Sequence, residues 1–220
     1  MPDPTADTPW APLTPEQVAE VLSGTDARWW LSGGAALDRW LGAPIRARAN
    51  IDVSTIRGDL EKLVAALPAG YSAWVTAGEG FEGTPVPLAA ADLDSADVQP
   101  VRIRRDADDV WVLQVNVEDG GARAWMYLRD PRLQLPWDRA VLDLGGIPTG
   151  APEVQLVWKA LRPRPEDETD KDAAFPHLSE EARAWWERAI LSIHPHSTWS
   201  IHVRSPFAPA KASWNRNKHG

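Results

Sequence analysis

The chain has 220 residues, 44% hydrophobic and 25% charged, which is typical of a globular protein with one domain or one domain plus a small helical appendage. Its net charge of −8 disfavours non-specific nucleic-acid binding, which needs a basic surface. The sequence has no cysteine, which excludes disulfides and thiolate metal sites, and no apolar run of membrane-spanning length. We therefore expect a cytoplasmic protein with no nucleic-acid or membrane partner, while a homodimer stays open.

The first part of the chain predicts a flexible arm at 1–13, followed by alternating helices and strands. Thr14 and Gln17 are spaced as a capping box, which indicates the start of a helix. The aromatic segment 28–32 runs into Gly33, which indicates a buried strand that ends in a turn. The predicted elements are a helix at 14–23, a strand at 28–32, a helix at 36–42, a strand at 45–56, a helix at 59–67 and a strand at 71–77.

The rest of the chain predicts further strands and then only helices. Gly120 and Gly121 indicate a hairpin turn between two strands, and the prolines of 131–151 indicate a connector. The predicted elements are a loop at 78–100, strands at 101–105, 108–119 and 122–130, and helices at 152–162, 166–175 and 179–193. This order predicts an α/β domain at 14–151, a helical part at 152–201 and a basic tail at 202–220.

One predicted strand carries an unusual number of polar residues. Side chains of a strand alternate between its two faces. In 45–53 the alternation puts Arg46, Arg48, Asn50 and Asp52 on one face and only apolar side chains on the other. Because buried charges need partners, the polar face should line a cavity or an ion-pair network.

Three segments carry a resemblance to a known family: SGGAALDRWLG at 32–42, RARANIDV at 46–53 and PEVQLVWKA at 152–160. In this order and spacing the sequence resembles the bacterial nucleotidyltransferases that include the aminoglycoside-2″-adenylyltransferases. The resemblance implies an α/β fold with a nucleotidyltransferase-like mixed sheet flanked by helices, followed by a C-terminal helical segment. It also implies three aspartates that hold two magnesium ions, which bind the triphosphate of ATP and activate a substrate hydroxyl.

The sequence departs from that pattern where the chemistry needs it most. Position 48 is arginine where the family has histidine, position 50 is asparagine where it has aspartate, and Gln114 stands where the third carboxylate is expected. Arg46 and Arg48 against Asp52 sum to about +1, which repels a divalent cation and attracts a carboxylate or phosphate. We therefore predict a rebuilt site that holds no metal and no cofactor. ATP and magnesium are expected only under the alternative that the protein is a classical adenylyltransferase.

In this rebuilt site Asp52 is the predicted base or orienting group, and Arg46 and Arg48 are predicted to stabilise an anion. Backbone N–H groups at the glycine turn can also cradle an anion. The resemblance implies that Lys159 faces nucleotide phosphates, and Asp167 is a candidate partner for a cationic substrate or for the basic strand. The predicted ligand-binding residues are Ser32, Gly33, Gly34, Asn50, Gln114, Asn116, Lys159 and Asp167.

Simpler explanations stay open for each of these residues. The glycines can form an ordinary strand-to-helix turn, Lys159 can be a surface lysine, and Asp167 can belong to a solvated helix start. Asn50 can be an engineered substitution, and Glu118 or Asp119 can supply metal ligands after a register shift. The cavity can also be inert, with its arginines paired to Asp52 and to an acid on a helix.

Three functions follow from these alternatives. We favour a family member that has lost the two-metal centre and binds or transforms a small molecule. The second is an adenylyltransferase that modifies a hydroxyl of an aminoglycoside-like antibiotic. The third is a non-enzymatic partner protein that uses the basic tail.

Overall fold

The computed structural model describes residues 3–5, 7–76, 84–88 and 100–204. The chain divides into two compact units, of which the first ends at Gly150 and the second begins at Ala151. Most of the predicted loop at 78–100, and the predicted tail beyond residue 204, lie outside the described residues. Within the described part of the chain, no helix is long and apolar enough to cross a membrane.

The first unit is built on a mixed sheet, with ten strands among the described residues. The strands are β1 Trp29–Ser32, β2 Asp52–Ile56, β3 Tyr71–Thr76, β4 Pro85–Pro87, β5 Val101–Arg105, β6 Val110–Gly120, β7 Ala124–Tyr127, β8 Asp130–Pro136, β9 Val141–Asp143 and β10 Pro148–Gly150. Their order is β4-β3-β5-β6-β2-β1-β10-β9, with β7 and β8 attached to β6. The β1–β10 and β2–β6 pairs are parallel and the others antiparallel.

Helices flank this sheet: α1 Pro15–Val21, α2 Gly33–Leu41, α3 Leu60–Ala65 and α4 Trp137–Ala140. The predicted capping box of Thr14 and Gln17 starts α1, and Gly42 ends α2 with a φ of 75°, a left-handed value that favours glycine. Apolar side chains of α1 and α3 pack with inward-facing residues of β2, β5 and β6 in one buried core. The mixed α/β class predicted from the sequence is confirmed.

The predicted strand at 45–56 is wrong in its first half, because β2 begins only at Asp52. Residues 43–51 form an irregular segment that is held against α2. The Asp38 carboxylate accepts hydrogen bonds from the Ile45 backbone N–H at 2.9 Å and from the Arg48 side chain. These bonds replace a strand ladder, so alternation between two faces does not describe 45–51.

The predicted connector at 131–151 and the loop at 78–100 are also partly wrong. The former contains most of β8 and all of α4, β9 and β10, and the latter contains β4. The prolines that suggested irregular backbone lie in the edge strands β4 and β8 or at the first residue of β10, positions where proline is tolerated.

The predicted arm at 1–13 is tied to the sheet over its last residues. The Trp111 N–H donates to the Pro9 carbonyl at 2.8 Å, and the N–H groups of Ala11 and Leu13 donate to the carbonyls of Trp111 and Val112. Residues 9–13 therefore extend the hydrogen bonding of β6 and are not a loose arm.

The second unit is helical, as the sequence predicts. Its helices are α5 Pro152–Lys159, α6 Pro165–Ala174, α7 Glu180–Ile193 and α8 Thr198–Arg204. The last of these was not predicted, and it includes residues 202–204 of the predicted tail. Within this unit the ring of Trp186 lies 5.0 Å from Phe175 and 6.1 Å from Trp199, so aromatic packing connects α7 to its neighbours.

Candidate functional site

Five side chains form one line across the sheet of the first unit. The strand registers pair Trp74 with Arg102, Arg102 with Gln114, Gln114 with Asp52, and Asp52 with Ser32. Residues opposite each other in neighbouring strands present their side chains on the same face. We call this line the polar row, and it places the predicted residues Asp52, Gln114 and Ser32 next to one another.

One amide donates to Asp52 and a second lies opposite it on β6. The Asn50 Nδ2 donates to Asp52 Oδ1 at 3.0 Å, while Gln114 Nε2 donates to Asn116 Oδ1 at 3.3 Å. Asn116 lies opposite Ser54 in the next line along the same face. The three positions where the resemblance implies carboxylates therefore provide a single carboxylate.

These residues do not fit the two magnesium ions that the resemblance implies. Magnesium takes oxygen ligands and needs anionic ones to offset its loss of water, whereas an amide has an N–H group that cannot ligate it and a carbonyl oxygen that carries no net charge. In the described ranges, no group of three or more histidine, cysteine, aspartate and glutamate side chains is arranged to hold a metal.

Glu118 does not replace the missing acid. It lies four residues beyond Gln114 in β6 and pairs in register with Ile56, at the far end of β2 from Asp52. Its carboxylate is buried and accepts a short hydrogen bond from Trp125 Nε1. The register of β6 therefore places Glu118 away from Asp52.

Arg48 pairs with an acid of α2. Its Nε and Nη2 donate to the two oxygens of Asp38 at 2.5 Å and 2.6 Å, and both side chains are largely buried, with exposures of 12% and 19%. The guanidinium lies directly against Gly34, where a β-carbon would overlap it. The charge count from the sequence omitted Asp38, which offsets the Arg48 charge, as the inert-cavity alternative had proposed for a helix-borne acid.

A cleft of about 520 Å³ opens beside this ion pair. Residues 43–51, α2 and the start of α1 enclose it, and Arg46, Arg48 and Asn50 line it together with Asp38 and Arg39. Its apolar wall consists of Pro12, Leu13, Pro15, Ala35, Pro44 and Ile51. Asp38 pairs with Arg48, and Glu16 pairs with Arg39 at 3.0 Å, so the three guanidinium groups of the lining stand against two carboxylates. Asn50 connects the lining to Asp52.

The glycine turn at the start of α2 adjoins the polar row. Gly33 has a φ of 60°, and a β-carbon there would lie 2.9 Å from Asp52 Oδ2, so glycine is needed both for the conformation and for the close approach. Ser32 precedes it and is buried, and its hydroxyl has no hydrogen-bond partner among the described residues. The turn therefore has an unused hydroxyl beside Asp52.

Lys159 and Asp167 bind each other in the second unit. The Lys159 Nζ lies 2.7 Å from Asp167 Oδ1 and 2.9 Å from Asp170 Oδ2, and the side-chain exposures are 10%, 4% and 0%. Arg164 also donates to Asp167 at 3.0 Å. Burial alone would raise the pKa of Asp167, but the hydrogen bonds from Arg164 and Lys159 outweigh it and hold the pKa below its ordinary value.

Sequence reasoning missed Arg102 and Asp38. Arg102 belongs to the polar row, its Nε is buried without a hydrogen-bond partner among the described residues, and its guanidinium lies 5.8 Å from the Trp111 ring. Burial lowers the pKa of the Arg102 guanidinium. The alternation in VRIRR, which sets Arg102 apart from Val101 and Ile103, was the signal that could have identified it.

The comparison with protein families supports the resemblance. Residues 16–123 match the model of the aminoglycoside-2″-adenylyltransferase family. The matched stretch contains the strands that carry the polar row, and the resemblance predicted from the sequence is confirmed. The search of curated proteins found no match.

Several solved structures are similar to the chain. A crystal structure of ANT(2″)-Ia in complex with adenylyl-2″-tobramycin has 14% identity and a TM-score of 0.49, covering 80% of this chain and 95% of that one. The solution structure of the antibiotic-resistance factor ANT(2″)-Ia has 16% identity and a TM-score of 0.39, with coverages of 93% and 96%. An antigenic nucleotidyltransferase-like protein from Paracoccidioides brasiliensis has 17% identity and a TM-score of 0.43, with coverages of 88% and 95%.

Proposed function

We propose that the protein binds or transforms a small molecule at the cleft and the polar row, and that it does not transfer nucleotides through two metal ions. The observation that carries the proposal is the amide environment of Asp52. Asn50 donates to one oxygen of this carboxylate, and Gln114 is its neighbour on β6. A site for two magnesium ions needs anionic oxygens at these positions.

The charges of the cleft support a ligand with an anionic group. Its lining carries Arg39, Arg46 and Arg48, of which Arg39 pairs with Glu16 and Arg48 with Asp38, so the cations exceed these two acids by one on a protein whose net charge is −8. Guanidinium groups form bidentate hydrogen bonds with carboxylates and phosphates, and a volume of about 520 Å³ suits a small molecule. The apolar wall of the cleft would contact the uncharged part of such a ligand.

Calorimetry and a pyrophosphate assay test this proposal. We expect ATP to bind no more tightly with magnesium than without it, and no pyrophosphate to be released when tobramycin is added. Magnesium-dependent ATP binding together with pyrophosphate release would refute the proposal and establish adenylyl transfer.

Restoring the acids tests the physical reason directly. The double variant Asn50→Asp with Gln114→Asp gives the site three carboxylates, and we expect it to bind Mn²⁺ where the parent chain does not. Gln134→Asp adds an acid at an exposed position on β8 and is the matched control. If the double variant binds no more Mn²⁺ than the control, the amides are not what excludes the metal.

The match to the adenylyltransferase family favours a second candidate function. Under it the protein transfers AMP from ATP to a hydroxyl of an aminoglycoside-like substrate, with metal ligands other than the amide positions. The same pyrophosphate assay decides between the two candidates.

A further inference from the structure

We propose that Arg102 and Asp52 bind the two ends of one ligand, which carries an anionic group at one end and an amine or hydroxyl at the other. This inference rests on the proposed function and names the class of ligand. Candidates of this class are extended zwitterions, such as ω-amino carboxylates, and hydroxy acids.

The polar row sets the length of that ligand. Arg102 lies on β5 and Asp52 on β2, with Gln114 of β6 between them. Neighbouring strands lie about 4.8 Å apart, so the two backbone positions are roughly 10 Å apart. The Gln114 amide faces the middle of this span on the same side of the sheet, where it can hydrogen bond to the central part of the ligand.

The surroundings of Arg102 favour the binding of an anion by its guanidinium. Its guanidinium is partly buried, lies 5.8 Å from the Trp111 ring, and has a buried Nε with no hydrogen-bond partner in the described part of the chain. Burial disfavours the charged form and lowers the pKa of this group. A carboxylate or phosphate of a ligand would compensate for the lost water with charge-assisted hydrogen bonds.

Two more deeply buried arginines of the same unit, Arg104 and Arg48, each have a carboxylate partner. Arg104, on the same strand, is 2% exposed and lies 2.9 Å from an oxygen of Asp109. Arg48 is held by both oxygens of Asp38. The fold supplies a carboxylate to each of these cations, whereas no ion pair joins Arg102 to another described residue. We infer that the carboxylate or phosphate for Arg102 comes from the ligand.

Asp52 serves the opposite end. Its side chain is partly buried at the edge of the glycine turn, and Asn50 donates to Oδ1. This bond fixes the orientation of the carboxylate. An ammonium or hydroxyl of a ligand would donate to it, and the Ser32 hydroxyl lies beside it in the row.

Calorimetry with simple probes tests the inference. We expect 6-aminohexanoate to bind at least about tenfold more tightly than hexanoate or hexylamine, because only the first can use both charged ends. Glycine carries both charges on a shorter chain and should bind as weakly as the single-ended probes. Equal binding of all four probes, or no binding of 6-aminohexanoate, would overturn the inference.

Variants assign the two ends. We expect Arg102→Gln to remove hexanoate binding and to weaken 6-aminohexanoate at least about tenfold while leaving hexylamine unchanged. Asp52→Asn should do the reverse. Arg105→Gln, at a partly exposed position on the same strand that is paired with Asp108, is the matched control and should leave the binding of all four probes unchanged. If Arg102→Gln behaves like this control, Arg102 is a surface arginine stacked on Trp111 and the inference is wrong.

These titrations contain neither ATP nor a metal, so their outcome is separate from the pyrophosphate assay. Pyrophosphate release with preserved binding of 6-aminohexanoate would refute the proposed function and leave the two-ended site in place. If neither pyrophosphate release nor binding of 6-aminohexanoate is observed, the ligand class is refuted and the proposed function is not.

Discussion

The guanidinium of Arg48 lies against Gly34, and a side chain at residue 34 would overlap it. Asp38 holds the guanidinium there with two hydrogen bonds and also accepts one from the Ile45 N–H. Because Gly34 and Asp38 belong to α2 and Arg48 to the segment 43–51, these contacts fix that segment to the helix. The shape of the cleft depends on them.

Replacing Asp38 with asparagine should destabilise the first unit. The substitution leaves the largely buried Arg48 cation without its carboxylate, and we expect the free energy of unfolding to fall by about 2 kcal/mol. Urea denaturation monitored by tryptophan fluorescence measures this. The variant Asp108→Asn, which breaks a pair with Arg105 in which the side chains are 48% and 34% exposed, is the control and should cause a much smaller change. Equal effects of the two variants would show that burial of the Arg48 pair contributes nothing.

Gly34→Ala should be harmful only while Arg48 is present. Alanine normally favours a helix over glycine by about 1 kcal/mol, but here the new methyl group displaces the guanidinium from Asp38. We therefore expect a loss of about 1–2 kcal/mol in the parent chain. In an Arg48→Ala background the same substitution should be neutral or stabilising. Denaturation of the four chains of this cycle measures the coupling.

Gly58→Ala is the control for that cycle, since a β-carbon there would meet nothing within 4 Å. Its effect should be the same with and without Arg48. An unchanged penalty for Gly34→Ala in the Arg48→Ala background would show that something other than the guanidinium requires the glycine.

Lys159→Met should be strongly destabilising to the second unit. Methionine keeps the length of the side chain but leaves Asp167 and Asp170, which are 4% and 0% exposed, without their ammonium partner. Removing one member of a buried ion pair typically costs about 3–5 kcal/mol. Lys62→Met, which removes a lysine that is 55% exposed and pairs with Asp59, provides the contrast and should change the unfolding midpoint far less. A small effect of Lys159→Met would show that the cluster is solvated in solution.

The cluster of Lys159, Asp167 and Asp170 should make the free energy of unfolding depend on pH in the acidic range. The pKa of Asp167 is lower in the folded chain than its ordinary value of about 3.8, so the unfolded state binds the proton more readily. Its contribution to stability is complete above pH of about 4 and is lost as the pH falls through the lowered folded pKa. Urea denaturation between neutral pH and acid should show this loss, and Asp167→Asn should reduce the slope. An unaltered slope in that variant would assign the acid sensitivity to other carboxylates.

The sequence alone determined the type of most elements and the family resemblance. Periodicity and caps located α1, α5, α6 and α7, because helix formation depends on local contacts within about four residues. The alternation of side chains along β6 correctly put Gln114 and Asn116 on one face, because this alternation also depends only on the local backbone. The sequence predicted that Asp52 and Gln114 lie next to each other only after the resemblance supplied the order of the strands.

Only the tertiary structure decided which partners the charged side chains take. Arg48 binds Asp38 ten residues away because 43–51 leaves the sheet, Lys159 binds Asp167 and Asp170 of the next helix, and Arg102 joins Asp52 through two strand registers. Each pairing depends on where separate elements pack, and residue spacing along the chain does not encode that geometry. The sequence therefore determined that positions 50 and 114 carry amides beside the carboxylate of Asp52, whereas the fold decided which acids pair with the cations.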